Sequence, residues 1–391
     1  MSNSSSDEEE IGKDDILPQT QANEIKPNHP DYYKLTLRDP GQEGRKASRI
    51  YFLRNFNNWV KACLINKYTF KIGKNASILD LCCGRGGDLL KFFQSNIKIY
   101  VGSDIVEELL LNAMDRIEKI KNERFQNKKF NTKCILIEDD LSGPNSILLK
   151  KIPDKVEFDI VACQFALHYH FESEERIRQF LKNVVTKLNP GGYFFGTIID
   201  SDVLIKRLRS MNNNKEFIQN NPYKGQKFTF GNDFYSVKFF QKRFPKDKPF
   251  GIRYGFFLED SIDTRDSEGN VSYVYEYLIM FKVLVDLAKE YELELIEDFN
   301  FEEFYERNLK EVDQESISIY LELFNRMVKV EKNDKSARMQ WDIIKLYKVF
   351  CFRKIPKGKT IEDFEKYTCV HSTTNFDWNM KPELKLQNFF K

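Results

Sequence analysis

The chain has 391 residues, 41% of them hydrophobic, and its 61 Lys and Arg against 59 Asp and Glu leave a formal charge of +2. That length supports one large core with insertions or two small ones. The near-neutral balance excludes a global basic field, so contact with nucleic acid requires a local patch. No apolar run reaches transmembrane length, and the seven cysteines lack any Cys-x-x-Cys spacing and follow no signal peptide, which predicts reduced thiols rather than disulfides or structural zinc.

Residues 1–31, opening Met1-Ser2-Asn3-Ser4-Ser5-Ser6-Asp7-Glu8-Glu9-Glu10, carry too little apolar surface to fold and read as a disordered acidic arm. From Tyr32 an ordered domain is expected to run to residue 353, with insertions near 209–250 and 309–340, before an extension over 354–391. A basic, aromatic helix from Arg45 to Ile65 leads into strand 77–82, helix 87–95, strand 98–103, helix 106–124, strand 133–138, strand 158–163, helix 173–188 and strand 192–199. This alternation predicts a parallel sheet covered by helices on both faces, with ligands bound beyond the carboxyl ends of the strands. After Ser201, Asn-rich and Lys-rich stretches between short aromatic strands read as a lid or substrate arm. Regular structure resumes with helix 280–291, strand 293–299, a helix after Asp313 and a final strand 346–352.

The most informative stretch is Ile78-Leu79-Asp80-Leu81-Cys82-Cys83-Gly84-Arg85-Gly86-Gly87-Asp88, an apolar strand breaking into a glycine-rich turn that opens a helix. Glycines let backbone approach a ligand closely, and the amides at the helix start are free to donate. Asp104, closing the next strand, stands where a ribose needs an acceptor. A nicotinamide fingerprint wants Gly at the Cys82 position and neutralises a pyrophosphate. Asp80 and Asp88 flanking this turn instead suit a cationic, phosphate-free cofactor, which favours S-adenosylmethionine over a dinucleotide. A second cluster, Gln164-Phe165-Ala166-Leu167-His168-Tyr169-His170-Phe171, ends a buried strand in amide, imidazole and aromatic groups able to stack on a planar base and bond its edge.

With these segments stand Leu53-Arg54-Asn55-Phe56-Asn57-Asn58-Trp59-Val60-Lys61 and Pro190-Gly191-Gly192-Tyr193-Phe194. In this order they resemble the eukaryotic messenger-RNA cap guanine-N7 methyltransferases, from about Arg45 to Phe352. The resemblance implies a Rossmann-like class I S-adenosylmethionine-dependent methyltransferase fold, an α/β domain with a mostly parallel seven-stranded sheet, helices on both faces and lid-like insertions. It implies a cofactor site of Lys61, Cys82, Gly84, Asp104, Asp140, Gln164 and Tyr169, with Asp104 on the ribose and Asp140 near the adenine. For the GpppN cap it implies Asn57, Arg85, Lys91, Arg116, His168, Glu259 and Tyr347. The cations would meet the triphosphate bridge, Glu259 would accept from guanine N1 and its exocyclic amine, and His168 and Tyr347 would frame the base. No metal is implied. Capped RNA is the implied partner, alongside other capping enzymes or an activating subunit, and nuclear residence follows from that role. The family has Gly where this chain has Cys82, and Pro where Ile199 and Tyr275 stand.

Guanine N7 carries a lone pair and no proton, so attack on a sulfonium methyl requires no general base, only alignment and electrostatic complementarity. A methyltransferase acting on a protein or metabolite shares the cofactor half and predicts that Arg85, Lys91 and Arg116 are dispensable. A non-catalytic cap- or RNA-binding scaffold predicts that no cofactor binds.

Overall fold

The computed structural model describes Gly44 and residues 46–368 apart from 126–129, 214–218, 220, 224, 246, 261–272, 311–313 and 329–334. The expected acidic arm and the end of the C-terminal extension lie outside the described residues.

Seven strands form the central sheet: β1 (Ser77–Leu81), β2 (Ile99–Asp104), β3 (Lys133–Glu138), β4 (Phe158–Gln164), β5 (Leu188–Ile199), β10 (Leu293–Asn300) and β11 (Tyr347–Lys354), in the spatial order β10-β11-β5-β4-β1-β2-β3. All neighbours from β5 to β3 are parallel, whereas β11 runs antiparallel to both β5 and β10. This is the Rossmann-like class I methyltransferase architecture. The reversal of β11 has a local consequence. Its first residue, Tyr347, pairs with Ile199, the last of β5, and so lies at the carboxyl edge of the parallel strands.

Helices α1 (Tyr51–Ile72), α2 (Leu89–Gln94), α3 (Glu107–Arg124), α4 (Leu148–Lys151), α5 (Glu174–Thr186) and α6 (Ser201–Asn213) fall in the first half. The second half adds α7 (Phe281–Glu290), α8 (Phe301–Lys310), α9 (Gln314–Met327), α10 (Lys335–Ile344) and α11 (Ile361–Thr368). Their apolar faces cover the sheet as two buried clusters, one under α1 to α3 and the other under α5 and α7. Helix α1 starts and ends later than the sequence suggests. A turn from Ser48 to Tyr51 precedes it, and no breaker intervenes until Gly73, whose φ of 91° suits glycine. Its Phe56 and Trp59 are fully buried, sharing ring contacts with Tyr305 and Phe324; Phe56 also meets Trp341 edge-on, and the Trp59 indole donates to Tyr320 O at 3.1 Å. Rings that interlock this way fix the amide face of α1 relative to the sheet.

The aromatic strands after Ser201 assemble into a separate antiparallel sheet, in the order β6 (Thr229–Asn232), β7 (Tyr235–Phe239), β8 (Arg253–Leu258) and β9 (Val274–Tyr277). Alternation decides its faces: Tyr254, Phe256 and Leu258 enter the core, and the register Tyr254↔Glu276 puts Glu276 on that same inner face.

Candidate active site

The turn after β1 is built on left-handed backbone. Cys82, Gly84 and Gly86 have φ of 56°, 52° and 66°. At Gly86 a Cβ would also lie 2.2 Å from the Leu89 side chain, so a larger residue there adds a clash to the strain of the backbone. At Gly84 a Cβ would meet nothing within 4 Å, so the space in front of that residue is open. Gly84 N donates to Asp104 Oδ2 at 2.8 Å, and Val106 N donates to Asp104 Oδ1 at 3.1 Å. The carboxylate has about four lone-pair sites, and with the Ile105 amide also directed at it, acceptor capacity remains for a ribose hydroxyl. Burial pushes the Asp104 carboxyl up, against the pull of these amides.

Beside the turn, Asp88 is gripped by Lys61 at 2.9 Å and Lys91 at 2.7 Å. Lys91 also donates to Asn58 Oδ1 at 3.2 Å and Gly87 O at 3.3 Å, so it is a partly buried cation with several partners. Arg116 reaches the same turn from α3, donating to Gly86 O at 3.3 Å, and Arg85 stands half-buried within it. Burial alone would raise the Asp88 carboxyl, but the two lysines hold it well below its ordinary value of 3.8. Asp88 therefore contributes stability that is complete above that value and lost as pH falls through the lower folded one. Asp88→Asn is expected to cost about 2 kcal/mol at pH 7, the scale of a hydrogen bond to a charged group. Urea unfolding checks it: the gap from the parent protein should narrow in acid, and equal midpoints at pH 7 would contradict the pairing.

The face of α1 that carries Asn57 and Lys61 lines a cleft of about 240 Å³ together with Tyr51, Arg54, Asn55, Asn58 and Phe165. Phe165, directly after β4, has a φ of 55°, a costly conformation for a bulky residue, and its ring meets Tyr347 edge-on at 5.2 Å. Gln164 accepts from Thr197 Oγ1 at 2.9 Å while its buried Nε2 has no protein partner among the described residues. His168 and Tyr169 follow on a 3₁₀ turn with ring centroids 4.0 Å apart.

Against this turn the second sheet sets Glu276. Its Oε1 lies 3.5 Å from His168 Nε2, a neighbour rather than a strong bond, and Tyr254 OH donates to its other oxygen. Both are buried, at 3% and 4% exposure. Burial drives His168 down to about 3, so the ring is neutral, and pushes the Glu276 carboxyl up to about 7 against the opposing Tyr254 bond. Tyr347 is fully buried by the same packing and feels the Glu276 charge.

Most of the residues expected from the sequence thus converge on the carboxyl edge, Asp140 among them: it follows β3 beside Asp104, whose carbonyl accepts from Asp139 N at 3.0 Å, and it is half-exposed and ion-paired with Arg176 at 2.9 Å. Glu259 stands apart. Glu259 follows β8, about 16 Å along the strand from Tyr254 at ~3.3 Å per residue, and is held by Arg49 at 2.5 Å. The carboxylate beside His168 is Glu276, which the sequence reading passed over. Its signal is a charged residue inside the otherwise apolar and aromatic run Val274-Tyr275-Glu276-Tyr277-Leu278.

The residues present fit S-adenosylmethionine. Open space before Gly84, spare lone pairs on Asp104 and the orphaned Gln164 amide offer a backbone cradle, a ribose acceptor and an unmet donor. Among the described residues no group of His, Cys, Asp and Glu side chains is arranged to hold a metal ion, and no helix is long and apolar enough to cross a membrane.

Comparison with known proteins settles the family. The model of the mRNA (guanine-N(7))-methyltransferase domain matches residues 19–355. This chain belongs to that family. A cap guanine-N7 methyltransferase relative, mRNA cap guanine-N(7) methyltransferase 1 of Oryza sativa subsp. japonica, is 35% identical over 80% of this chain and 77% of its own. The Saccharomyces cerevisiae mRNA cap guanine-N(7) methyltransferase is 34% identical over 80% of this chain and 66% of that one. Among solved structures, an S-adenosylmethionine-dependent methyltransferase from Clostridium acetobutylicum aligns at 15% identity over 77% of this chain and 92% of that one, with a TM-score of 0.39. As a cap guanine-N7 methyltransferase family member, the chain has S-adenosylmethionine as its cofactor.

Proposed function

We infer that this chain transfers a methyl group from S-adenosylmethionine to N7 of the terminal guanine of GpppN-capped RNA, and that Glu276 rather than Glu259 recognises the guanine edge. The observation that carries the assignment is the buried Glu276–His168–Tyr347 group at the mouth of the β4 and β11 strand ends. Guanine offers N1–H and an exocyclic amine side by side, two donors matched to a carboxylate. Phe165 and Tyr347, edge to face in direct contact, form an aromatic corner against which the base would pack.

When bound, the cofactor supplies an electrophilic methyl on a sulfonium. The protein's contribution is alignment and charge. Asp104 fixes the cofactor's ribose through its spare lone pairs, Gln164 Nε2 meets an acceptor of the ligand, and Asn57 and Lys61 line the cleft between the two substrates. Arg85 and Arg116 face the triphosphate, with Lys91 holding Asp88 and the turn in place behind them. N7 has no proton to lose, so no general base is required. The ionised Glu276 sits beside a base that gains positive charge as its N7 is alkylated, which favours the transition state over the ground state.

The test is the pH profile. Guanine's two donors require an ionised acceptor, and the free protein ionises Glu276 at about 7. Hence kcat/KM for capped RNA should rise about tenfold per pH unit below 7 and level off above it. Asp80, buried in β1, is also raised to about 7, so the variant decides between them. In Glu276→Gln the limb should vanish; a limb that survives there belongs to Asp80 or another group and contradicts the assignment.

A further inference from the structure

Cys82 has a side chain at a backbone φ of 56°, a left-handed conformation that favours glycine, in the turn that faces the cofactor. A side chain at such a position carries two costs: strain of about 1–2 kcal/mol in left-handed backbone, and a sulfur beside a surface where the backbone itself should meet the ligand. The structure shows where the sulfur goes. Cys82 packs with the apolar cluster below the sheet, against Cys163 at the end of the neighbouring strand, where Leu81 and Cys163 are register partners. Its Sγ lies 3.5 Å from His170 Nε2. The His170 ring is itself buried, stacked on Phe180 with centroids 4.1 Å apart at 20°. Its position is therefore set by α5 and not by the cysteine.

Both partners are in the states that such a bond needs. The Cys163 thiol and burial push Cys82 well above its ordinary value, so it remains a thiol. Burial, with Arg176 nearby, drives His170 well below its own, so the ring is neutral. A thiol and a neutral imidazole nitrogen at 3.5 Å make one hydrogen bond, whose direction follows the imidazole tautomer.

We propose that His170 is a positioning residue for the cofactor turn: its bond to the Cys82 thiol holds that side chain in the apolar layer and leaves the backbone from Cys82 to Gly84 facing the ligand. His170 touches neither cofactor nor cap in this account. It acts through Cys82, and its importance exists only because Cys82 brings a side chain to a left-handed position. The proposal rests on the cofactor reading above.

The experiment measures S-adenosylmethionine dissociation constants by calorimetry on the full chain, for the parent, His170→Phe, Cys82→Gly and the double variant. Phenylalanine keeps the stack on Phe180 and removes the nitrogen. In the cysteine background His170→Phe should weaken binding about tenfold, the loss of one hydrogen bond plus a freed sulfur. In the glycine background the same change should move binding by less than about twofold. An equal factor in both backgrounds would make His170 a packing residue only and overturn the proposal. Should His170→Phe fail to fold, His170→Asn, which retains a side-chain acceptor, is read in the same two backgrounds against the same criterion: a loss that is partial with Cys82 and absent with Gly. No binding by the parent chain would instead remove the cofactor reading itself, a result distinct from any of these.

Discussion

Glu276→Gln is expected to lower kcat/KM on GpppN-capped RNA by about 100-fold, with S-adenosylmethionine affinity changed by less than about threefold. The substitution preserves shape and the Tyr254 contact but removes the charge and one of two acceptor oxygens facing the base. Because burial leaves Glu276 with few protein partners, its ionised form gains more from guanine's two donors than a solvated carboxylate would. The loss should fall on kcat as well as KM, since the charge opposes the positive charge that grows on the base during transfer. Glu259→Gln is the informative companion. Its carboxylate is engaged by Arg49, away from the Tyr254–Glu276 register, so the expected change is within about threefold. Steady-state kinetics on capped RNA, with cofactor titration beside it, checks both. A larger effect at Glu259 than at Glu276 would reverse the assignment.

Asp104→Ala is expected to weaken S-adenosylmethionine binding by about 100-fold. Two effects combine in it. The ribose hydroxyls lose a charged acceptor, and the Gly84 and Val106 amides, now bonded to the carboxylate at 2.8 and 3.1 Å, lose theirs. The second effect loosens the turn at the residue whose open face receives the ligand. Calorimetric titration of the folded variant measures the change. Affinity within threefold of the parent would remove Asp104 from the ribose site.

The two residues also show what the chain makes legible and what it hides. Asp104 and the turn were readable because their geometry is local: a strand, glycines at left-handed positions and an acid closing the next parallel strand are written within a short span. The same holds for Gln164 and His168 at the end of β4. Glu276 was not readable, because its face is decided by register in a second sheet. Glu259 follows one aromatic strand and Glu276 lies within another, and only the pairing Tyr254↔Glu276 tells which one faces His168. The short aromatic strands read there as a lid or substrate arm assemble into that sheet, held by buried Phe230, Val237, Phe239 and Phe256, a pairing that the sequence pattern alone does not specify. Lys91 shows the limit of local reading: its partner Asp88 is one turn away, but its contact with Asn58 of α1 is made only in the fold.

One measurement tests the central claim most directly. RNA ending in an unmethylated GpppN cap and RNA ending in ApppN are incubated with methyl-labelled S-adenosylmethionine and the chain, and the products are digested to locate the label. The account predicts label only in 7-methylguanosine from the GpppN substrate and none from ApppN. Label in any other position, or none while the cofactor binds, would contradict it.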